Sequence, residues 1–347
     1  MSLLVMAPAR LLIFSSADGN MRYATGLDIP GQFIWVKLSE GKEYVIVPQL
    51  EYSRAKQEAK QGAKVILLEE YKIENLRLPK HRKQNLADVA ASFLLSFNNT
   101  EVLIPKNTWA LHVETLREHN IRYTFEQPYF PARQVKTPAE IKQIKAVGSV
   151  TKKAFKHALG IIKDATVEWN DTLHYGGKKV TSEFLKAEIE KIFLEHGCYS
   201  GECIVASGEQ SALPHHRGTG PLKAGEPIII DLFPRSMETG YYFDMTRTII
   251  KGTPAKDLQD MLKAVRKAQQ SALAAVQPGS AKVVHETAAK VFEELGYQTS
   301  SEEGFIHGLG HGLGIDIHEQ PRLSGKSDDV LQPGNVITIE PGLYYKE

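Results

Sequence analysis

Acidic residues that close apolar strands constrain this chain more than any other feature. Asp231 ends the run Pro227-Ile-Ile-Ile-Asp231, Asp244 interrupts Tyr241-Tyr-Phe-Asp-Met245, and Glu340 ends Val336-Ile-Thr-Ile-Glu340 just before Pro341-Gly342. A carboxylate in such a setting is costly unless it is paired or bound to a cation, so the fold must bring these acids to a partner. A single strand-end Asp is ordinarily a turn former. Three such acids ask for a common site.

The partner is the stretch running from Phe305 to Pro321, where His307, His311 and His318 sit among glycines. Histidine binds metals or moves protons near neutral pH, and glycine lets the backbone pass close to an ion or substrate. Ile315 and Ile317 alternate with Asp316 and His318 as a strand would. The spacing is not the His-Glu-x-x-His of a helical zinc protease, so a metal held here needs carboxylates from elsewhere. Asp231 and Asp244 suit neighbouring strands of a hairpin whose loop covers residues 234–240, with the two carboxylates facing each other. An oxygen-rich set with one imidazole suits Mn²⁺, Co²⁺, Fe²⁺ or Zn²⁺.

At 347 residues the chain is long for one core, so two domains are expected. A formal net charge of +1 gives no reason to expect nucleic acid or an anionic membrane as partner. No apolar run reaches the length of a membrane span and no signal-peptide pattern opens the sequence, which implies the cytoplasm. Cys198 and Cys203 read as reduced structural residues, since two thiols cannot complete a cysteine zinc site.

The first segment alternates short β-branched and aromatic runs (residues 11–14, 33–36, 44–47, 64–68 and 101–104) with helical patterns over 52–63, 86–97 and 108–119. This is an α/β domain, closed by the proline-bearing residues 127–131, with a boundary after residue 133. Thr137-Pro-Ala-Glu140 then reads as a helix start, with Thr as N-cap, Pro at the first helical position and Glu at the third. Further helices are expected over 182–196, 256–276 and 280–295. In the helix over 256–276, Leu258, Met261, Leu262, Val265 and Leu273 share the apolar face. Strands at 204–205, 227–231, 240–250 and 335–340 make the second domain α+β.

Taken together these residues resemble a known family. Ala212-Leu-Pro-His-His216, Ile230-Asp-Leu232, Phe243-Asp-Met-Thr-Arg-Thr248, Gly310-His-Gly-Leu-Gly314, Ile317-His-Glu-Gln-Pro321 and Thr338-Ile-Glu-Pro-Gly342 resemble the successive motifs of the pita-bread metallopeptidases, proline dipeptidase and aminopeptidase P. Asn20-Met-Arg-Tyr-Ala-Thr-Gly26 and Arg133-Gln-Val-Lys-Thr-Pro-Ala-Glu140 likewise resemble the creatinase-like N-terminal domain and the entry to the catalytic one. The resemblance implies a creatinase-like domain over 1–133, a pita-bread domain over 134–347 and hydrolysis of Xaa-Pro peptide bonds by a metal-activated water. It implies two divalent metals per site, with Asp231, Asp244, His311 and Glu340 as ligands. His318 would stand by the scissile peptide, and His307 and His215 would contact substrate. His216 would be a loop neighbour, and Arg247 a partner of the Asp244 carboxylate. The partners implied are peptides with proline at the second position and a second copy of the chain in a homodimer.

One departure bears on the metals. The family supplies a second bridging Glu from a strand beyond the Glu-Pro-Gly motif, and the sequence ends at Glu347, which an odd offset from Glu340 turns to the opposite face of a strand. The expectation is one metal bound firmly, or none, and weak turnover. A non-catalytic peptide-binding or protein-binding module is the alternative reading.

Overall fold

The computed structural model describes residues 7–71 and 83–346. Glu347, the last residue weighed above, lies outside them. The chain divides into two compact units, Met1–Pro131 and Ala132–Glu347.

The first unit is built on a six-stranded mixed sheet. Its strands are β1 (Ala9–Phe14), β2 (Phe33–Lys37), β3 (Glu43–Val47), β4 (Ala63–Leu67), β5 (Glu101–Pro105) and β6 (Arg122–Glu126), in the order β4-β3-β2-β1-β5-β6. Helices α1 (Gly19–Thr25), α2 (Gln49–Glu58), α3 (Leu86–Ser96) and α4 (Ala110–Glu118) accompany it. Leu11, Ile13, Ile34 and Val36 enter one buried cluster, while Leu12, Phe14, Phe33 and Trp35 enter another. Successive strand residues point to opposite faces, so burial of both faces explains why these strands read as unbroken apolar runs.

The second unit opens with α5 (Pro138–Asp164), whose start is a complete capping box. The Thr137 hydroxyl accepts from the Glu140 N–H, and the Glu140 carboxylate accepts from the Thr137 N–H at 2.7 Å. Helix α6 (Ser182–Glu195) begins where expected and is capped by Thr181. These two helices pack on a three-stranded antiparallel sheet of β7 (Ile204–Ser207), β8 (Pro227–Leu232) and β9 (Met245–Ile250), with β8 in the centre. Helices α7 (Lys256–Ala275) and α8 (Ala281–Glu294) pair with each other beside β10 (Gly310–Gly312) and β11 (Glu319–Leu323).

Three expectations are corrected. On α7 the buried stripe is Ala264, Ala268 and Ala272, one turn apart, while Leu262 and Leu273 are exposed. Small residues let α8 approach closely, which a leucine stripe would prevent. Regular strand begins at Met245, because the Tyr242 and Phe243 N–H groups bond to Gly314 and Pro234 carbonyls instead of a ladder. The residues 314–318 bend, and strand resumes only at Glu319. None of the described helices is long and apolar enough to cross a membrane.

Candidate metal centre

Strand pairing sets the first two acids. Asp231 on β8 lies opposite Thr246 on β9, and Asp244 stands two positions before Thr246. Asp231 and Thr246 therefore share a face of the sheet, and Asp244 lies one residue before β9 begins. The Thr246 hydroxyl donates to Asp231 Oδ1 at 2.6 Å.

Residues 309–313 and 336–340 run side by side and supply the rest. The Thr338 N–H donates to the His311 carbonyl at 2.8 Å, Glu340 to Leu309 at 2.9 Å and Leu313 to Val336 at 3.1 Å. The pairing is too irregular to form a continuous ladder, so the expected 335–340 strand is a run of single bridges. The Thr338 hydroxyl accepts from the His311 N–H at 3.0 Å and donates to Glu340 Oε1 at 2.7 Å, which ties two candidate ligands together. Close approach also requires glycine: a Cβ on Gly310 would stand 2.1 Å from the Thr338 carbonyl oxygen. Gly310→Ala should therefore destabilise the protein by about 1–3 kcal/mol or more, read as a lowered melting temperature, and should separate His311 from Glu340. An unchanged melting curve would contradict this packing.

His311 Nε2 lies 3.4 Å from Asp244 Oδ2 and 3.2 Å from Glu340 Oε1, and the ligand atoms of all three residues lie within 4.8 Å of one another. Its other nitrogen, Nδ1, lies 3.0 Å from the Gly312 carbonyl oxygen. A carbonyl only accepts, so Nδ1 carries a proton and Nε2 is the nitrogen turned to the carboxylates, the one that would meet a cation in place of its own proton, as in metal-ligating histidines.

Electrostatics test the fit to a metal. Burial, and then Asp244, push the Asp231 carboxyl up to about 7, and burial raises Asp244 as well. Burial would lower His311, yet the Asp244 and Glu340 carboxylates outweigh it and raise the imidazole to about 9. Burial would raise the Glu340 carboxyl too, yet the hydrogen bonds from His311 and Thr338 hold it below its ordinary value. Asp231 and Asp244 thus hold protons they would otherwise release, and Asp231 stands beside the group of Asp244, His311 and Glu340, not within it. A divalent cation supplies the positive charge this donor set lacks, so the residues fit one.

The remaining histidines differ in setting. The His318 ring stands against His311, centroids 4.4 Å apart and nearly perpendicular. Burial first, then His311 and Arg322, push it down to about 4, so it is neutral at pH 7. His307 is lowered by burial and donates from Nδ1 to the Gly308 carbonyl, leaving Nε2 buried without a partner. Tyr344 packs edge-on against it at 5.5 Å. His215 is exposed in the turn after β7, near enough that its charge acts on His307 and His318. His216 instead accepts the Gly218 N–H within its own loop. Arg247, expected as a partner of the Asp244 carboxylate, is exposed and donates to the Thr246 carbonyl instead, while the Thr246 hydroxyl holds Asp231. Sequence reasoning passed over Thr246, Thr338 and Tyr344. For the two threonines a signal existed: each lies two positions from a candidate acid.

A mixed α/β unit followed by a unit that gathers carboxylates around an imidazole fits the plan of a metal-dependent hydrolase. Residues 142–347 match metallopeptidase family M24, and the chain belongs to that family. It is 31% identical over 341 residues to a Xaa-Pro dipeptidase of Pyrococcus furiosus, covering 96% of this chain and 86% of the relative. Among solved structures, the prolidase from Pyrococcus furiosus superposes with a TM-score of 0.78 at 27% identity, over 97% of this chain and 89% of that one. An X-Pro aminopeptidase from Thermotoga maritima, at 23% identity and a TM-score of 0.77, shares the fold. The fold is the pita-bread fold.

Proposed function

We propose that this protein hydrolyses the peptide bond preceding proline in Xaa-Pro dipeptides, with Asp231, Asp244, His311 and Glu340 holding the divalent metal. The observation that carries the reading is the position of His311 Nε2 between the Asp244 and Glu340 carboxylates. The relatives named Xaa-Pro dipeptidase support the substrate class over a non-catalytic binding module. When bound, a divalent cation lowers the pKa of a water and polarises a peptide carbonyl.

The chain's own groups have separate tasks. The Gly312 carbonyl holds His311 in the tautomer that offers Nε2. Neutral His318, beside His311, exchanges a hydrogen bond with the reacting peptide. The buried Nε2 of His307, without a partner among the described residues, accepts from the substrate, and exposed His215 contacts the substrate beside it. The donor set suits Mn²⁺, Co²⁺, Fe²⁺ or Zn²⁺. Two free buried cysteines, Cys198 and Cys203, agree with a reducing cytoplasm.

Chelation and dialysis should abolish cleavage of Ala-Pro, and adding back Mn²⁺ or Co²⁺ should restore it. Full turnover by the metal-free protein, or equal cleavage of Ala-Ala, would overturn the proposal.

A further inference from the structure

Glu319 follows His318 directly, and its side chain is only 7% exposed. Its carboxylate accepts from Arg133 Nη2, from Lys136 Nζ at 3.0 Å and from the Asp316 N–H at 3.1 Å. Arg133 Nη2 also reaches Asp316 Oδ2 at 2.6 Å, and Gln134 Nε2 donates to Gln320 Oε1 at 3.0 Å. Both cations come from the few residues before α5, and both acids bracket His318.

A cluster of this kind adds little net stability, because taking the Arg133, Lys136 and Glu319 charges out of water offsets most of their attraction. Its effect is on conformation. The residues 314–318 bend and lie outside any ladder, so no sheet sets the direction of the His318 side chain. Gly314 leaves room for the acid, since a Cβ there would stand 2.7 Å from Glu319 Oε2.

We propose that Glu319, clamped by Arg133 and Lys136, is a positioning residue that fixes the His318 imidazole against His311. The proposal rests on the reading of His318 as a group that meets the substrate. Displacing such a group by about 1 Å costs about 10²-fold in rate, and loss of a supporting contact costs about 10- to 100-fold.

The test is a double-mutant cycle on the metal-loaded enzyme with Ala-Pro. Glu319→Gln should lower kcat about 10- to 100-fold with KM and metal content nearly unchanged. In a His318→Ala background the same change should cause no further loss, because its effect passes through an imidazole already removed. Additive losses, or loss of metal in Glu319→Gln, would overturn the positioning role while leaving His318 as it stands. No loss in His318→Ala alone would reject the reading of His318 and the proposal with it. Should Glu319→Gln fail to fold, Arg133→Lys keeps the charge, lacks the planar fork and carries the same cycle.

Discussion

Asp244→Asn should leave the protein folded but without bound metal, and turnover on Xaa-Pro dipeptides should fall about 10²–10⁴-fold, corresponding to the several kcal/mol a divalent cation contributes to such a reaction. The Asp244 side chain is 8% exposed and stands 3.4 Å from His311 Nε2. An amide has nearly the shape of the carboxylate but neither its charge nor its affinity for a hard cation. Asp260→Asn is the control: that acid is exposed on α7 and pairs only with surface lysines, so its loss should alter neither metal content nor rate. Elemental analysis beside a rate measurement reads both. A normal metal content with normal turnover would remove Asp244 from the centre.

His318→Ala should separate the two readouts. Turnover should drop about 10²–10⁴-fold, the usual worth of a group that transfers or shares a proton with the reacting bond, while the metal stays bound. The reason is geometric: the His318 ring packs edge-on against His311 and lies outside the cluster of His311, Asp244 and Glu340. It is neutral at pH 7, pushed down to about 4 by burial first and then by His311 and Arg322, and so can both accept and donate. Loss of metal from this variant would make it a ligand; an unchanged rate would deny it any part in the reaction.

The acids and histidines were legible because each breaks a local rule. Asp231 and Glu340 end apolar runs, Asp244 interrupts one, and His311 sits between glycines, so all four stand out without knowledge of the fold. The start of α5 was legible for the same kind of reason, since the Thr137 and Glu140 capping box uses residues three apart. Less legible were the supporting groups. The only local mark of Thr338 is its place two positions before Glu340, and its importance comes from hydrogen bonds to His311, 27 positions away, and to Glu340.

Leu262 and Leu273 make the same point from the packing side. Periodicity assigned them to a buried face of α7, but the α8 neighbour selects Ala264, Ala268 and Ala272, where the backbones approach most closely. By itself the sequence determined which residues could bear a cation, the order of helices and strands, and where α5 begins, because these depend on side-chain chemistry and on contacts within one or two turns. Only the tertiary structure decided that His311 Nε2 faces Asp244 and Glu340, that residues 314–318 bend instead of extending, and that Arg133 and Lys136 reach Glu319. Those facts depend on pairings across large sequence separations, which hydrophobic period and local propensity do not encode.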